Sequence, residues 1–204
     1  MAGVQYDGEP PRLYFNFREL ELGFGHYSML PKNDKPMLLF QPSGGPSDKE
    51  QPYPYSWARD IHPNTAQELV NNLSNVFQVV HVCYPHHPTL QNCHRFDAVI
   101  NKMELFAMAN NFNAFLLVDS SFQHACAALN KKATVCWNIT EPTTFGYPLH
   151  KNFTPLNAVR EGTADSYFFD YNFHGAAYEC PYPNYNAFYN IDDIVNSCIE
   201  SIYQ

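Results

Sequence analysis

The sequence predicts an α/β fold on a parallel sheet, and three observations predict it. From Met37 onward, short apolar runs alternate with amphipathic stretches, which is the rhythm of βα units. The run AFLLVD (Ala114 to Asp119) reads as a buried strand closed by a carboxylate at its C-terminal end. It leads straight into SFQHACAALN (Ser121 to Asn130), a helix whose Ala125, Ala127 and Ala128 allow close approach to a sheet. A chain of 204 residues, 45% hydrophobic and 16% charged, fills one core and excludes disorder and fibrous repeats.

The elements follow in order. RLYFNFREL (Arg12 to Leu20) alternates polar and apolar residues, so residues 1–34 read as an extended arm or strand ahead of a domain over 35–204. MLLFQ (Met37 to Gln41) is the first strand, ending in the breaker cluster Pro42 to Pro46. Ala66, Leu69, Val70, Leu73 and Phe77 fall at helical spacing, predicting a helix over Thr65 to Phe77 with Asn64 or Thr65 as N-cap. QVVHVCY (Gln78 to Tyr84) is the second strand, and Pro85 to His94 a loop stiffened by Pro85 and Pro88. A short strand at Asp97 to Ile100 and a helix over Lys102 to Asn110 come next, then the Ala114 strand, the Ser121 helix and a strand at Ala133 to Trp137. Beyond Thr140 the composition turns to Pro, Gly, Asn and aromatics, with ten Tyr or Phe between Tyr167 and Tyr189, which predicts an irregular packed segment. IDDIVNSCIESIY (Ile191 to Tyr203) closes the chain as a helix with one apolar face, and Asp192 and Asp193 suit its positive N-terminal end. Together these elements describe a single Rossmann-like domain with helices on both faces of its sheet.

Composition excludes several functions. Twelve basic against twenty acidic residues give a formal charge of −8, which removes the phosphate attraction behind nucleic-acid binding. No apolar run approaches the ~20 residues of a membrane span, and no secretory leader precedes the fold. Six cysteines without a CxxC pair fit free thiols in a reducing, cytoplasmic compartment. Sequons at Asn72, Asn138 and Asn152 carry little weight beside such abundant asparagine. Cys83, His86, His87, Cys93 and His94 have metal-ligand chemistry, but their spacing matches no common zinc module, and no metal or cofactor is predicted.

In an open parallel sheet, ligands bind beyond the carboxyl ends of the strands, where helix N-termini offer N–H groups to anions. Two places qualify. The loop Gln41 to Asp60 has glycines that let backbone approach a ligand, with Trp57 and Arg59 to stack on or pair with it. The turn Asp119-Ser120-Ser121 feeds hydroxyls and amides into the same crevice, with His124 one helical turn along. Taken alone, Asp119 has a second reading as the cap of the following helix, and His124 as a hydrogen-bonded core histidine. Trp57 and Trp137 are equally readable as core, and the tyrosine-rich stretch as a sugar platform, a partner surface or packing over the sheet edge.

The stretch DSSFQHACAALNKKATVCWNITEPTTFGYP (Asp119 to Pro148) resembles the signature of the ADP-heptose:lipopolysaccharide heptosyltransferases, glycosyltransferase family 9. There a strand ends in Asp-Thr/Ser-Gly, continues x-x-His-x-Ala-Ala-Ala-Leu, and leads to a loop with Thr-x-Pro and Phe-Gly. In weaker form the resemblance runs from Lys35 to Tyr203, through the Pro-Gly-Gly loop with its tryptophan and through Cys180 with the closing helix. It implies the C-terminal, donor-binding half of a GT-B glycosyltransferase. On that likeness Asp119, Ser120 and Ser121 line the pyrophosphate and sugar, His124 supports the turn, Ser43, Gly44 and Gly45 close over the phosphates, and Trp57 and Arg59 complete the site. Two departures bear on it: Ser121 replaces the family's glycine, and Ser56 replaces the basic residue before the tryptophan, which leaves phosphate neutralisation to Arg59 or Lys49.

The family's N-terminal half, with its acceptor site and catalytic base, has no counterpart in this sequence, so no catalytic residue is assigned. The resemblance implies binding of a nucleotide-sugar, an ADP-sugar above others, with transfer needing a separate acceptor domain or protein partner. Two alternatives stand beside it. One is a non-catalytic descendant that still binds a nucleotide or sugar. The other is a structural or assembly protein, such as a viral one, that keeps the fold as a scaffold.

Overall fold

A computed structural model describes residues 11–44, 59–138, 140, 142–155 and 188–203. Six parallel strands form one sheet: β1 (Met37–Gln41), β2 (Gln78–Cys83), β3 (His94–Asp97), β4 (Ala114–Val118), β5 (Thr134–Cys136) and β6 (Lys151–Phe153). Their spatial order is β3-β2-β1-β4-β5-β6, the doubly wound arrangement that the βα rhythm predicts. Five longer helices, α1 (Phe17–Ser28), α2 (Pro63–Leu73), α3 (Lys102–Ala109), α4 (Ser121–Ala128) and α6 (Ile191–Glu200), are described, with the single turn α5 at Pro142–Phe145.

Strand periodicity sorts the core into two layers. Leu38 and Phe40 of β1 face α2 and α6, where Leu69, Val70, Leu73, Ile194 and Cys198 meet them. Met37 and Leu39 point the other way, toward Leu105 and Met108 of α3 and Phe122 and Cys126 of α4. Both faces of β1 and β4 are fully buried, which is why these strands read as unbroken apolar runs.

Each helix starts on a side chain that takes up a free backbone N–H. Asn101 caps α3, Ser120 caps α4, Asn190 caps α6, and His62 caps α2 with Pro63 at its first position. Asp192 and Asp193 occupy the first turn of α6 as the sequence predicts. Asn130, with φ 55°, takes the left-handed position just past the end of α4 and stops it two residues short of the predicted boundary.

Four elements differ from the sequence reading. The alternation at Arg12 to Leu20 is not an extended strand, because Asn16 and Glu19 form a reciprocal capping box that starts α1. Strand β3 begins at His94 rather than Asp97, set by pairing of Val80 through Cys83 with His94 through Asp97; its half-exposed edge position leaves no apolar run. Helix α2 ends at Leu73, yet Phe77 still reaches the core through the following turn. Strand β6 adds an edge the composition did not mark, pairing Lys151 through Phe153 with Thr134 through Cys136. The tyrosine-rich segment at residues 156–187 lies outside the described residues.

Helix α1 packs on α3 through Gly23. A Cβ there meets Ala107 Cβ at 2.6 Å and backbone atoms Met108 N and Ala107 C at 2.7 and 2.8 Å. Gly25, on the open side, has nothing within 4 Å of the same added atom. Gly23→Ala is therefore expected to lose about 1–3 kcal/mol to overpacking despite better helix propensity, whereas Gly25→Ala gains up to about 1 kcal/mol. Urea unfolding of the two variants checks the opposite signs.

Candidate functional site

The sheet order reverses between β1 and β4: the chain winds outward from β1 through β2 and β3, then restarts beside β1 and winds the other way. The loops leaving the tips of these neighbours diverge, and the crevice between them is where such sheets bind ligands. Pairing of Gln41 with Leu117 puts the two tips level. Ser43 and Gly44 follow one tip, and Asp119, Ser120 and Ser121 the other.

A hydrogen bond joins the two sides. Ser120 Oγ donates to Gln41 Oε1 at 2.6 Å and accepts from the Phe122 N–H at 3.3 Å. Ser120 thus caps α4, and the account of Asp119 as the cap is set aside. Asp119 is half-buried at the strand tip and makes no side-chain hydrogen bond or ion pair among the described residues. Ser121 is exposed on the first turn of α4. A small pocket of about 40 Å³ lies beside it, with Val82, Leu105, Phe106 and Phe122 for its apolar part and Ser43, Tyr84, His87 and Lys102 among its polar lining.

On the other wall, Asp60 organises the loop. Its carboxylate accepts the Gly44 N–H at 2.8 Å, and its carbonyl accepts from Asn138 Nδ2 at 2.9 Å. Ile61 N–H donates to the Pro42 carbonyl at 2.8 Å, closing the base of the loop. Tyr189 in turn donates to the Asn138 Oδ1 and to the Trp137 carbonyl, so the loop after β1 is tied to the end of β5 and the start of α6. Arg59 is exposed and lies against Gly44, whose added Cβ would meet its Nε at 2.4 Å. The guanidinium makes no hydrogen bond or ion pair among the described residues, which leaves it free to meet an anion. Gly45, Trp57, Ser56 and Lys49 lie outside the described residues.

His124 is engaged by its own neighbours. Its Nδ1 lies 3.0 Å from the Tyr147 hydroxyl, its ring meets Tyr147 edge-on, and Gln123 Nε2 reaches both its ring and the Phe145 carbonyl. His150 Nε2 donates to the Gln123 carbonyl at 2.8 Å, which locks the loop after α5 to α4. His124 is therefore a structural support of the turn.

Sequence reading missed Gln41, Asp60, Asn138, Tyr84, His87 and Lys102. Gln41, as a polar residue ending an apolar strand, was the one signal available. The histidines and cysteines of the Cys83 to His94 stretch are not drawn to a common point; no metal-binding group of three or more such residues occurs among the described residues. Cys83 instead donates toward the Phe96 carbonyl and Asp97, and burial pushes its thiol up to about 12. Arg95 pins the neighbouring loop through the Tyr84 and His87 carbonyls. Of the sequons, Asn138 is buried with its amide in use, and Asn152 Oδ1 accepts the Trp137 indole N–H.

No protein-family model matches the chain, and no curated protein matches it. Solved structures do match. Heptosyltransferase II from E. coli shares 16% identity at a TM-score of 0.54, with 72% of this chain and 46% of that one covered. A family 9 glycosyl transferase from Veillonella parvula shares 9% identity at 0.61, covering 95% and 54%. The dodecameric heptosyltransferase TibC, solved with ADP-D-beta-D-heptose, shares 13% identity at 0.59, covering 86% and 48%. The chain spans about half the length of these structures. Its fold is the Rossmann-like α/β fold found in the family 9 heptosyltransferases.

Proposed function

We propose that this chain binds a nucleoside diphosphate sugar, an ADP-sugar above others, in the crevice between β1 and β4, as the donor half of a GT-B type glycosyltransferase. One observation carries the reading: the tips of β1 and β4 are bonded together through Ser120 and Gln41, while Asp119 and Arg59 beside those tips make no side-chain hydrogen bond or ion pair among the described residues. Groups held in place yet left without partners suit a polar ligand. The Ser121 N–H at the positive end of α4 receives a phosphate, and the Arg59 guanidinium neutralises it. Asp119 accepts hydroxyls of the sugar. The small pocket beside Ser121, which combines apolar Val82, Leu105 and Phe122 with polar Ser43, Tyr84 and Lys102, has chemistry that suits the edge of a nucleoside. The ADP-heptose held by TibC supports this choice.

Transfer also needs a bound acceptor, so a separate acceptor domain or protein completes the enzyme and this chain alone turns over little substrate. The five described cysteines are free, which goes with a cytoplasmic setting. No helix among the described residues is long and apolar enough to cross a membrane.

Isothermal titration with ADP and ADP-sugars tests the reading. Asp119→Ala and Arg59→Ala are each expected to weaken binding by roughly tenfold or more, as loss of a charged hydrogen bond does, with the melting temperature nearly unchanged. A folded sample that gives no heat with any nucleotide-sugar refutes the donor role. The scaffold reading then takes its place, and one observation favours it: Tyr14 just before α1, and Phe17 and Phe24 on it, are 75%, 82% and 57% exposed, a contact surface for a partner chain.

A further inference from the structure

We infer that His81 is a positioning residue for the crevice: across a small cavity that it shares with Ser43, a hydrogen-bonded link aims the Ser43 hydroxyl at the ligand. His81 lies on β2, is 1% exposed, and neither ring nitrogen has a hydrogen-bond partner. A neutral imidazole carries one donor and one acceptor, and leaving both unmet in a core is costly. The cavity beside it has room for roughly one water molecule. Its other walls are Ile61, Ala66, Leu90 and three prolines, Pro42, Pro63 and Pro88, which carry no backbone N–H. Among the described residues Ser43 is the one further polar side chain there. It is 6% exposed, its hydroxyl makes no hydrogen bond among the described residues, and it also lines the ligand pocket.

Ser43 is thus the shared wall between cavity and crevice. Burial holds His81 neutral, with Arg95 and His87 opposing its protonation and Asp97 favouring it. A neutral ring that donates to one water, which in turn donates to Ser43 Oγ, leaves the serine proton free to point into the crevice and meet an anionic group. The ligand's identity rests on the nucleotide reading above; the link itself does not.

Two measurements on the full chain separate these. With ¹⁵N-labelled histidine, NMR is expected to show His81 as one neutral tautomer with a slowly exchanging ring N–H, and Ser43→Ala to shift its ring nitrogens. Unchanged His81 signals in Ser43→Ala overturn the link, and this arm holds even if substitutions at His81 fail to fold. In titrations with ADP and with adenosine, Ser43→Ala and His81→Leu are each expected to weaken ADP roughly tenfold, the double variant no further, and adenosine unchanged. Equal weakening of adenosine, or wild-type ADP affinity in His81→Leu, overturns the positioning role. If the unaltered chain binds no ADP, the nucleotide reading fails, and the NMR result alone decides the link.

Discussion

Trp137→Ala is expected to cost about 3–5 kcal/mol, a large share of the 5–15 kcal/mol that holds a typical domain together. Trp137 is fully buried at the end of β5, packed into the layer beneath α3 and α4. Truncation leaves a cavity the size of an indole in a region where β5, β6 and α4 cannot all collapse inward. It also strips Asn152 Oδ1 of the indole N–H that reaches it at 2.8 Å, uncoupling the side-chain tie to edge strand β6. Trp137→Phe refills much of the space but not the hydrogen bond, and is expected to cost about 1–3 kcal/mol. Urea unfolding followed by circular dichroism ranks the two variants, and a Trp137→Ala protein within 1 kcal/mol of the parent would show that this layer is not the core we describe.

The same residue shows what the sequence made legible. Trp137 is readable as core or ligand platform in the sequence; its full burial just past β5, among the core residues of α3 and α4, decides for core. Buried parallel strands announce themselves because both faces are apolar, so β1, β2 and β4 were found within a residue. Edge strands β3 and β6 are short and have half-exposed faces, so no apolar run marks them and local composition could not locate them. Helix α1 was hidden for a different reason. Its packed face is glycine and its outward face aromatic, the inverse of an amphipathic signal, and the capping box of Asn16 and Glu19 was the mark to follow. At the crevice, Ser43, Gly44, Asp119, Ser120 and Ser121 were placed by the strand tips that carry them. Asp60 and Asn138 were not, because their roles come from hydrogen bonds across 16 and 78 residues of sequence.

Stability is expected to fall by about 2 kcal/mol between pH 7 and pH 5, before most carboxylates titrate, and His81 is the main cause. Burial lowers its pKa from 6.5 to about 4, with the charges of Arg95 and His87 adding to the effect and Asp97 opposing it. The unfolded chain therefore takes up a proton near pH 6.5 that the folded chain refuses until about pH 4. Below pH 6.5 the unfolded state binds more protons, so the stability present above that pH is lost as pH falls, reaching about 3 kcal/mol at pH 4. Burial also lowers His150 and His62, and both add to the loss with the same sign. Urea midpoints at pH 7, 6 and 5 measure the slope. In His81→Leu most of it should vanish, because a leucine has nothing to protonate; a slope unchanged by that substitution assigns the acid sensitivity elsewhere and removes His81 from the neutral, buried state on which its hold over Ser43 depends.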